Sequence, residues 1–311
     1  AFSNRLGKMQ GSRLRAKADT AADKMGIYPV TLDPGRAKFL DYIHSNEHWH
    51  MDGTTYDIPP RATNLKCEVP PASGGDTEFA NLLAAYDDIG QAGAAVGAII
   101  AAGIIPAGLE MMDNPAIRAA EAFVHAGYPV EAAAILLCEL DGANEEVSQQ
   151  ILRVRQILLE SGAVEVRTAR DEAERLLFWK GRKAAFPAVG RLSPDYYCMD
   201  GTIPRRRLSE VLGRIADMSA AYGLPVANVF HAGDGNLHPL ILYDANVPGE
   251  LERTEELGGK ILELCVEVGG TITGEHGVGK EKIDQMCVQF QPQELAQFHA
   301  CLLYTSDAAD E

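Results

Sequence analysis

The chain has 311 residues, of which 46% are hydrophobic and 23% are charged, and its formal net charge at pH 7 is −16. At roughly 150 residues per domain, this length predicts about two domains with sizeable cores, and the composition excludes a disordered or fibrous protein. The negative charge argues against binding of nucleic acid, because nonspecific binding needs Lys and Arg to neutralise phosphates. The six cysteines form no C-x-x-C motif, which predicts reduced thiols in a cytoplasmic protein.

The N-terminal segment contains two of the three ligands of an iron-site pattern. His50 and Asp52 are two residues apart, so on a strand they would share one face and supply two ligands of a 2-His-1-carboxylate Fe(II) site. Taken alone, this short motif is weak, and a chance occurrence is its default interpretation. Its context, W-H-x-D followed by PPASGGDTEFAN at 70–81, resembles taurine-type 2-oxoglutarate-dependent dioxygenases. That resemblance implies that Thr77 contacts 2-oxoglutarate, but the distal His and Arg of the family are missing. We therefore expect an iron site that is weak or vestigial.

Beyond residue 88, predicted helices and strands alternate. The uncharged stretch 92–109 is long enough for a membrane span, but its apolar residues at i, i+3 and i+4 favour a buried helix ending near Gly103. This order of elements predicts an α+β fold in which helices pack on one face of an antiparallel sheet, preceded by an incomplete β-rich segment. The other predicted strands are 133–140, 164–168, 196–199, 226–230 and 239–243, and the other predicted helices are 145–161, 171–186, 207–222 and 250–268.

Two histidines and an acidic residue form the main candidate site. His231 and His238 flank a Gly-Asp-Gly turn between two predicted strands, which lets both imidazoles converge, and Glu275-His276 follows among glycines. Two imidazoles and one carboxylate commonly hold a divalent metal with positions open for substrate. Such a metal would bind a 2-hydroxy acid and acidify its hydroxyl, while His276, facing the other way, removes the proton. In the alternative interpretation, the histidines satisfy backbone groups in the turn and Glu275-His276 begins a helix.

Three longer segments carry a second resemblance. FHAGDGNLHPLILYD, GGTITGEHGVGKEK and CMDGTIPRR resemble the C-terminal domain of FAD-linked 2-hydroxy-acid oxidoreductases of the vanillyl-alcohol-oxidase type, in particular the glycolate oxidase (glycolate dehydrogenase) group. The resemblance covers about 83–300. It implies that His231, His238 and Glu275 bind a metal, commonly zinc, and that His276 is the catalytic base. It also implies that Arg182 clamps the substrate carboxylate, although the residue pattern alone would make Arg182 a surface cation.

The second resemblance implies FAD, a substrate such as glycolate or a related D-2-hydroxy acid, an electron acceptor and other glycolate oxidase subunits. No glycine-rich FAD-binding domain is recognisable, so we expect FAD to be held mainly by a domain outside this sequence and the chain alone to be inactive. A substrate-binding Lys of some relatives falls near Cys198 here, which leaves the exact hydroxy acid open. We expect a cytoplasmic location, with peripheral association at the inner face of the membrane as the alternative.

The chain therefore divides into three predicted segments: 1–88, partial and dioxygenase-like; 89–300, the FAD-linked oxidase C-terminal domain; and 301–311, which resembles translated sequencing adapter. The two families meet near 82–89, in residues compatible with both patterns. One hypothesis is a truncated chimeric reading frame joined during assembly of environmental reads, and a genuine fusion is the alternative. Three functions stay open: an FAD-dependent oxidoreductase, an Fe(II)/2-oxoglutarate dioxygenase, and a metal-binding module without activity.

Overall fold

The computed structural model of the chain describes residues 77–305. His50 and Asp52, and most of the adapter-like tail, lie outside the described residues. Within residues 77–305, none of the helices has the length and hydrophobicity that a membrane-spanning helix requires. The uncharged stretch around residue 100 instead contains a 13-residue helix, Ile89–Ala101, capped by the side chain of Asp88.

Strands and helices alternate through the described part of the chain. The strands are β1 (Glu78–Tyr86), β2 (Gly108–Asp113), β3 (Ala134–Gly142), β4 (Glu165–Thr168), β5 (Asp195–Cys198), β6 (Gly201–Thr202), β7 (Val226–Phe230), β8 (Asn236–Leu237) and β9 (Pro239–Tyr243). The helices are α1 (Ile89–Ala101), α2 (Asn114–Val124), α3 (Asn144–Glu160), α4 (Glu172–Lys183), α5 (Ala185–Val189), α6 (Leu208–Tyr222), α7 (Glu250–Glu267), α8 (Ile283–Gln289) and α9 (Pro292–Thr305).

Seven strands form one antiparallel sheet in the order β4-β1-β3-β2-β7-β9-β5, and β6 pairs with β8 in a separate two-stranded ribbon. The predicted antiparallel sheet is therefore confirmed. The predicted strands and helices agree with the structure to within a few residues, except that the region 171–186 divides into α4 and the start of α5. The sequence analysis missed β1, β2, β6, β8, α2, α8 and α9.

Helices cover both faces of the sheet, and the prediction of helices on one face is wrong in this respect. Alternate residues of β1 point to opposite sides: Leu82, Ala84 and Tyr86 join one buried cluster, and Leu83 and Ala85 join another. Because both sets are apolar, each face needs a covering layer. The first face packs against α1, α3, α6 and α7, and the second packs against α2, α4 and α5.

The sheet begins before the predicted boundary at 88–89. β1 pairs with β3 over its whole length, from Glu78 opposite Gly142 to Tyr86 opposite Ala134. At the other end, α9 continues past Cys301, where the adapter-like stretch was predicted to begin. The division into segments of different origin stays a prediction about the sequence.

A buried carboxylate ties three of these elements together. Asp113, at the end of β2, accepts a hydrogen bond from the backbone N–H of Ala116 and so caps α2. It also accepts hydrogen bonds from the backbone and side-chain nitrogens of Asn228 on β7, at 2.9 and 2.8 Å. Burial raises the pKa of Asp113 to about 7, although these hydrogen bonds act in the opposite direction.

Candidate metal and substrate site

Strand register places the first histidine beside a buried acid. β2 and β7 pair with Met111 opposite Phe230, so the adjacent residues Glu110 and His231 lie next to each other where the pairing ends. Nδ1 of His231 is 2.8 Å from Oε1 of Glu110. This contact fixes the ring orientation and directs Nε2 away from Glu110.

The ribbon places the second histidine. Gly201 of β6 lies opposite Leu237 of β8, and the next pair along the ribbon is Asp200 and His238, whose Oδ1 and Nε2 are 3.6 Å apart. A bridge between His231 and Asn236 closes the intervening turn. As a result, the rings of His231 and His238 lie 5.3 Å apart between centroids and nearly perpendicular.

The acidic residue comes from a loop after α7. Oε1 of Glu275 lies 3.5 Å from Nε2 of His231 and 3.2 Å from Nε2 of His238. Possible ligand atoms of His231, His238 and Glu275 all lie within 4.8 Å of one another. The structure thus brings together the three residues that the sequence analysis selected. Their binding of a metal stays a prediction.

The surroundings of His238 suit a metal ligand. The residue is 2% exposed, and neither ring nitrogen has a hydrogen-bond partner among the described residues. An unsatisfied buried polar group is costly, and a bound cation would satisfy one nitrogen. Burial, and then the neighbouring His276 and His231, lower the pKa of His238 to about 4. The ring is therefore neutral at pH 7, as metal ligation requires.

His276 does not face away from Glu275 as expected. Its ring stacks on His238, with centroids 4.9 Å apart and planes 14° apart, and its Nε2 lies 3.8 Å from Oε1 of Glu275. Its side chain is 46% exposed. His276 therefore lies at the open side of the same site. Asp200, His238 and His276 form a second set of possible metal ligands, whose ligand atoms also lie within 4.8 Å of one another.

Arg182 reaches the site through a buried ion pair. It lies on α4 and is only 7% exposed, so it is not the surface cation that the residue pattern alone suggested. Its Nε donates a 3.0 Å hydrogen bond to Oε2 of Glu110, and its Nη2 lies 2.7 Å from the same oxygen without hydrogen-bond alignment. Glu110 thus joins Arg182 to His231. The hydrogen bond between Nδ1 of His231 and the carboxylate of Glu110, which favours the protonated imidazole, raises the pKa of His231.

The sequence analysis missed Glu110 and Asp200. The available signal was an acidic residue in an apolar stretch: Glu110 in GLEMMD, and Asp200 after the strand that ends at Cys198. Burying a carboxylate is expensive without partners, so such a residue in a buried strand indicates a specific role. The partners themselves are distant in sequence and could not be identified.

Of the three dioxygenase-like residues, Thr77 is the one that falls in the described part of the chain. Thr77 is exposed and directly precedes β1. Because His50 and Asp52 are not described, the role of these three residues in iron or 2-oxoglutarate binding stays a prediction.

Comparison with protein families gives two matches. The model of FAD linked oxidases, C-terminal domain, matches residues 76–301, and that of the Taurine catabolism dioxygenase TauD, TfdA family, matches residues 1–94. The two matches overlap at 76–94. Both resemblances stated from the sequence are therefore confirmed.

Curated relatives agree with the first match. The chain is 69% identical over 219 residues to "Glycolate oxidase subunit GlcD" of Escherichia coli (strain K12), covering 70% of this chain and 44% of the relative. It is 41% identical to the protein of the same name in Bacillus subtilis (strain 168), covering 65% and 43%. It is 31% identical to "Probable D-lactate dehydrogenase, mitochondrial" of Danio rerio, covering 59% and 37%. The chain spans less than half of the length of these relatives.

Solved structures show the same fold. A structure of p-cresol methylhydroxylase with substrate bound matches with a TM-score of 0.55 and 14% identity, covering 72% of this chain and 50% of that one. The 4-ethylphenol oxidase of Gulosibacter chungangensis matches with a TM-score of 0.50 and 13% identity, covering 68% and 50%.

Proposed function

The chain belongs, through residues 76–301, to the family of FAD linked oxidases, C-terminal domain, and we propose that it is the metal- and substrate-binding part of an FAD-dependent oxidoreductase. The substrate would be glycolate or a related D-2-hydroxy acid, and the product the 2-oxo acid. The observation that carries this proposal is the convergence of two imidazoles and a carboxylate beside a further histidine and a buried arginine.

We assign the metal to His231, His238 and Glu275, and zinc is the metal we propose. Two histidines and one carboxylate are a known ligand set of catalytic zinc, with a further position open. The alternative group is less suitable because the carboxylate of Asp200 already accepts several hydrogen bonds. When bound, the metal supplies a positive charge that attracts the carboxylate and hydroxyl oxygens of the acid and lowers the pKa of that hydroxyl.

Arg182 and His276 perform the other two tasks that the reaction needs. Two nitrogens of Arg182 face Glu110, so we assign the remaining one, Nη1, to the substrate carboxylate. We propose that Nε2 of His276 accepts the hydroxyl proton, since this residue borders the site and is half exposed. The hydride of the α-carbon would pass to FAD, which the family name implies and which we place in the part of the relatives that this chain does not span.

The partners and the cellular location of the protein are also proposals. The names of the most similar curated relatives describe a subunit of glycolate oxidase, which supports other subunits and an electron acceptor as partners. We propose a cytoplasmic location, with peripheral contact at the inner membrane face as the alternative.

Metal analysis of the purified chain tests the ligand assignment. After incubation with ZnCl2 and removal of free metal, we expect one zinc per chain by elemental analysis, and a large loss in His238→Ala and in Glu275→Gln. The matched control is Glu281→Gln, which removes an exposed acidic residue from the same loop and should retain zinc. A wild-type chain without zinc, or equal zinc in all variants, would contradict the assignment.

Spectroscopy of the Co²⁺-loaded chain separates the oxidoreductase from a metal-binding module without activity. We expect glycolate to change the visible absorption spectrum at concentrations where acetate, which lacks the hydroxyl, does not. Arg182→Met should weaken the glycolate response while the metal remains bound. A spectrum that glycolate leaves unchanged would favour the metal-binding module.

The match of residues 1–94 to the TauD, TfdA family supports a second candidate function for the N-terminal segment, an Fe(II)/2-oxoglutarate dioxygenase. Binding of iron together with 2-oxoglutarate, lost in His50→Ala, would support it. We propose instead that the two family segments come from different genes, since their matches overlap only at 76–94. Amplification across codons 80–95 from the source DNA tests this, and one uninterrupted product would refute the chimera.

A further inference from the structure

We propose that Asp200 is a positioning residue: its buried carboxylate holds the loop that carries Glu275 and His276, and so determines the affinity of the metal site. The inference rests on the metal assignment proposed above and concerns a residue outside that ligand set.

The contacts of Asp200 are concentrated on one loop. Its side chain is fully buried and accepts hydrogen bonds from three successive backbone N–H groups, those of Gly274, Glu275 and His276, at 2.8, 3.1 and 3.0 Å. The hydroxyl of Thr273 donates a fourth, at 2.8 Å. One carboxylate therefore binds the backbone of three consecutive residues and the side chain of the residue before them.

Lys282 extends this hold to the far end of the loop. Its Nζ donates a 2.7 Å hydrogen bond to the backbone carbonyl of Asp200 and lies 3.2 Å from Oδ2. The Lys282 side chain is 3% exposed. Two buried charges are stable together only when further hydrogen bonds satisfy them, and here the loop N–H groups do so. Although burial raises the pKa of Asp200, these hydrogen bonds and Lys282 together hold it below the usual range.

The side chains of Glu275 and His276 are held less firmly than the backbone that carries them. Gly277 and Gly279 have positive φ values of 82° and 55°, and the Glu275 and His276 side chains are 53% and 46% exposed. Ile272, just before the loop, and Val278 join the small apolar cluster beside it, and the backbone N–H of Gly277 donates a hydrogen bond to the Thr273 hydroxyl. Because packing restrains the two functional side chains weakly, their positions depend on backbone hydrogen bonds to Asp200.

Asp200→Asn tests the proposal. The amide places an NH2 donor against N–H donors of the loop, so we expect the amides of residues 274–276 to exchange with deuterium about tenfold faster. We expect zinc affinity, measured by competition with a chelator, to fall about 10- to 100-fold. Asp113→Asn is the matched control, since it changes another buried aspartate that accepts N–H hydrogen bonds away from this loop. It should leave both measurements at the wild-type value.

A second variant covers the case in which Asp200→Asn does not fold. Thr273→Val removes one donor to Asp200 and keeps the side-chain shape, so we expect the same two changes with smaller size. Wild-type exchange and affinity in this variant would overturn the proposal, and so would faster exchange without weaker zinc binding. If the wild-type chain binds no zinc, the metal assignment fails, while the exchange measurement still decides whether Asp200 holds the loop.

Discussion

The buried pair of Glu110 and Arg182 makes a quantitative prediction about stability. The two side chains are 9% and 8% exposed, and Nη2 lies 2.7 Å from Oε2, so water screens the pair very little. Glu110→Gln preserves the side-chain shape but leaves the guanidinium without its counter-charge. Removal of one partner from a buried ion pair costs about 3–5 kcal/mol. We therefore expect the free energy of unfolding to fall by about that amount.

The partner substitution separates the charge from the packing. Arg182→Met keeps most of the aliphatic volume and leaves Glu110 with His231 as a partner, so its cost should be at the lower end of the same range. In the double variant neither charge is left unpaired. We expect its cost to be smaller than the sum of the two single costs by about 2–3 kcal/mol.

Urea unfolding, followed by far-ultraviolet circular dichroism at pH 7, measures the free energy of unfolding of the wild type, the two single variants and the double variant. The control is the exposed pair of Arg118 and Glu131, whose side chains are 53% and 85% exposed. Glu131→Gln should change the free energy of unfolding by at most about 1 kcal/mol. The reasoning is refuted if Glu110→Gln behaves like Glu131→Gln, or if the costs in the double variant simply add.

Three further predictions concern the fold and the metal. The pKa of Asp113 is raised to about 7 in the folded chain, so the folded state binds the carboxyl proton more tightly than the unfolded state does. The protonated carboxyl therefore contributes its full stabilisation below about pH 4, and this contribution is lost as the pH rises through 7. Asp113→Asn should remove this slope from unfolding curves at pH 4–8, and an unchanged slope would contradict it. Gly235→Ala should destabilise the fold by at least about 1 kcal/mol, since Gly235 has φ 75° and an added Cβ would collide with the carbonyl of Ile203; thermal melts equal to wild type would refute this. Zinc at about 100 times its dissociation constant should add about 2.7 kcal/mol to the free energy of unfolding, and His238→Ala should abolish the gain.

Local patterns in the sequence predict most of the secondary structure and part of the site. The period of apolar residues and the Gly and Asp end signals located α3, α6, α7, β7 and β9, because those signals act within a few residues. β1 and β2 were not predicted. β1 lies in residues shared by two family patterns, and β2 is a short apolar strand that contains acidic residues. Two short glycine-containing motifs in the sequence also identified His231, His238, Glu275 and His276 as candidates.

Only the tertiary structure decided how these candidates are held. Glu110 meets His231 through the register of β2 and β7, and Asp200 meets His238 through the register of β6 and β8. The sequence by itself determined which side chains are candidates for binding a metal. It did not determine which buried carboxylates orient them, because strand pairing joins residues up to 121 positions apart and local sequence does not encode that register.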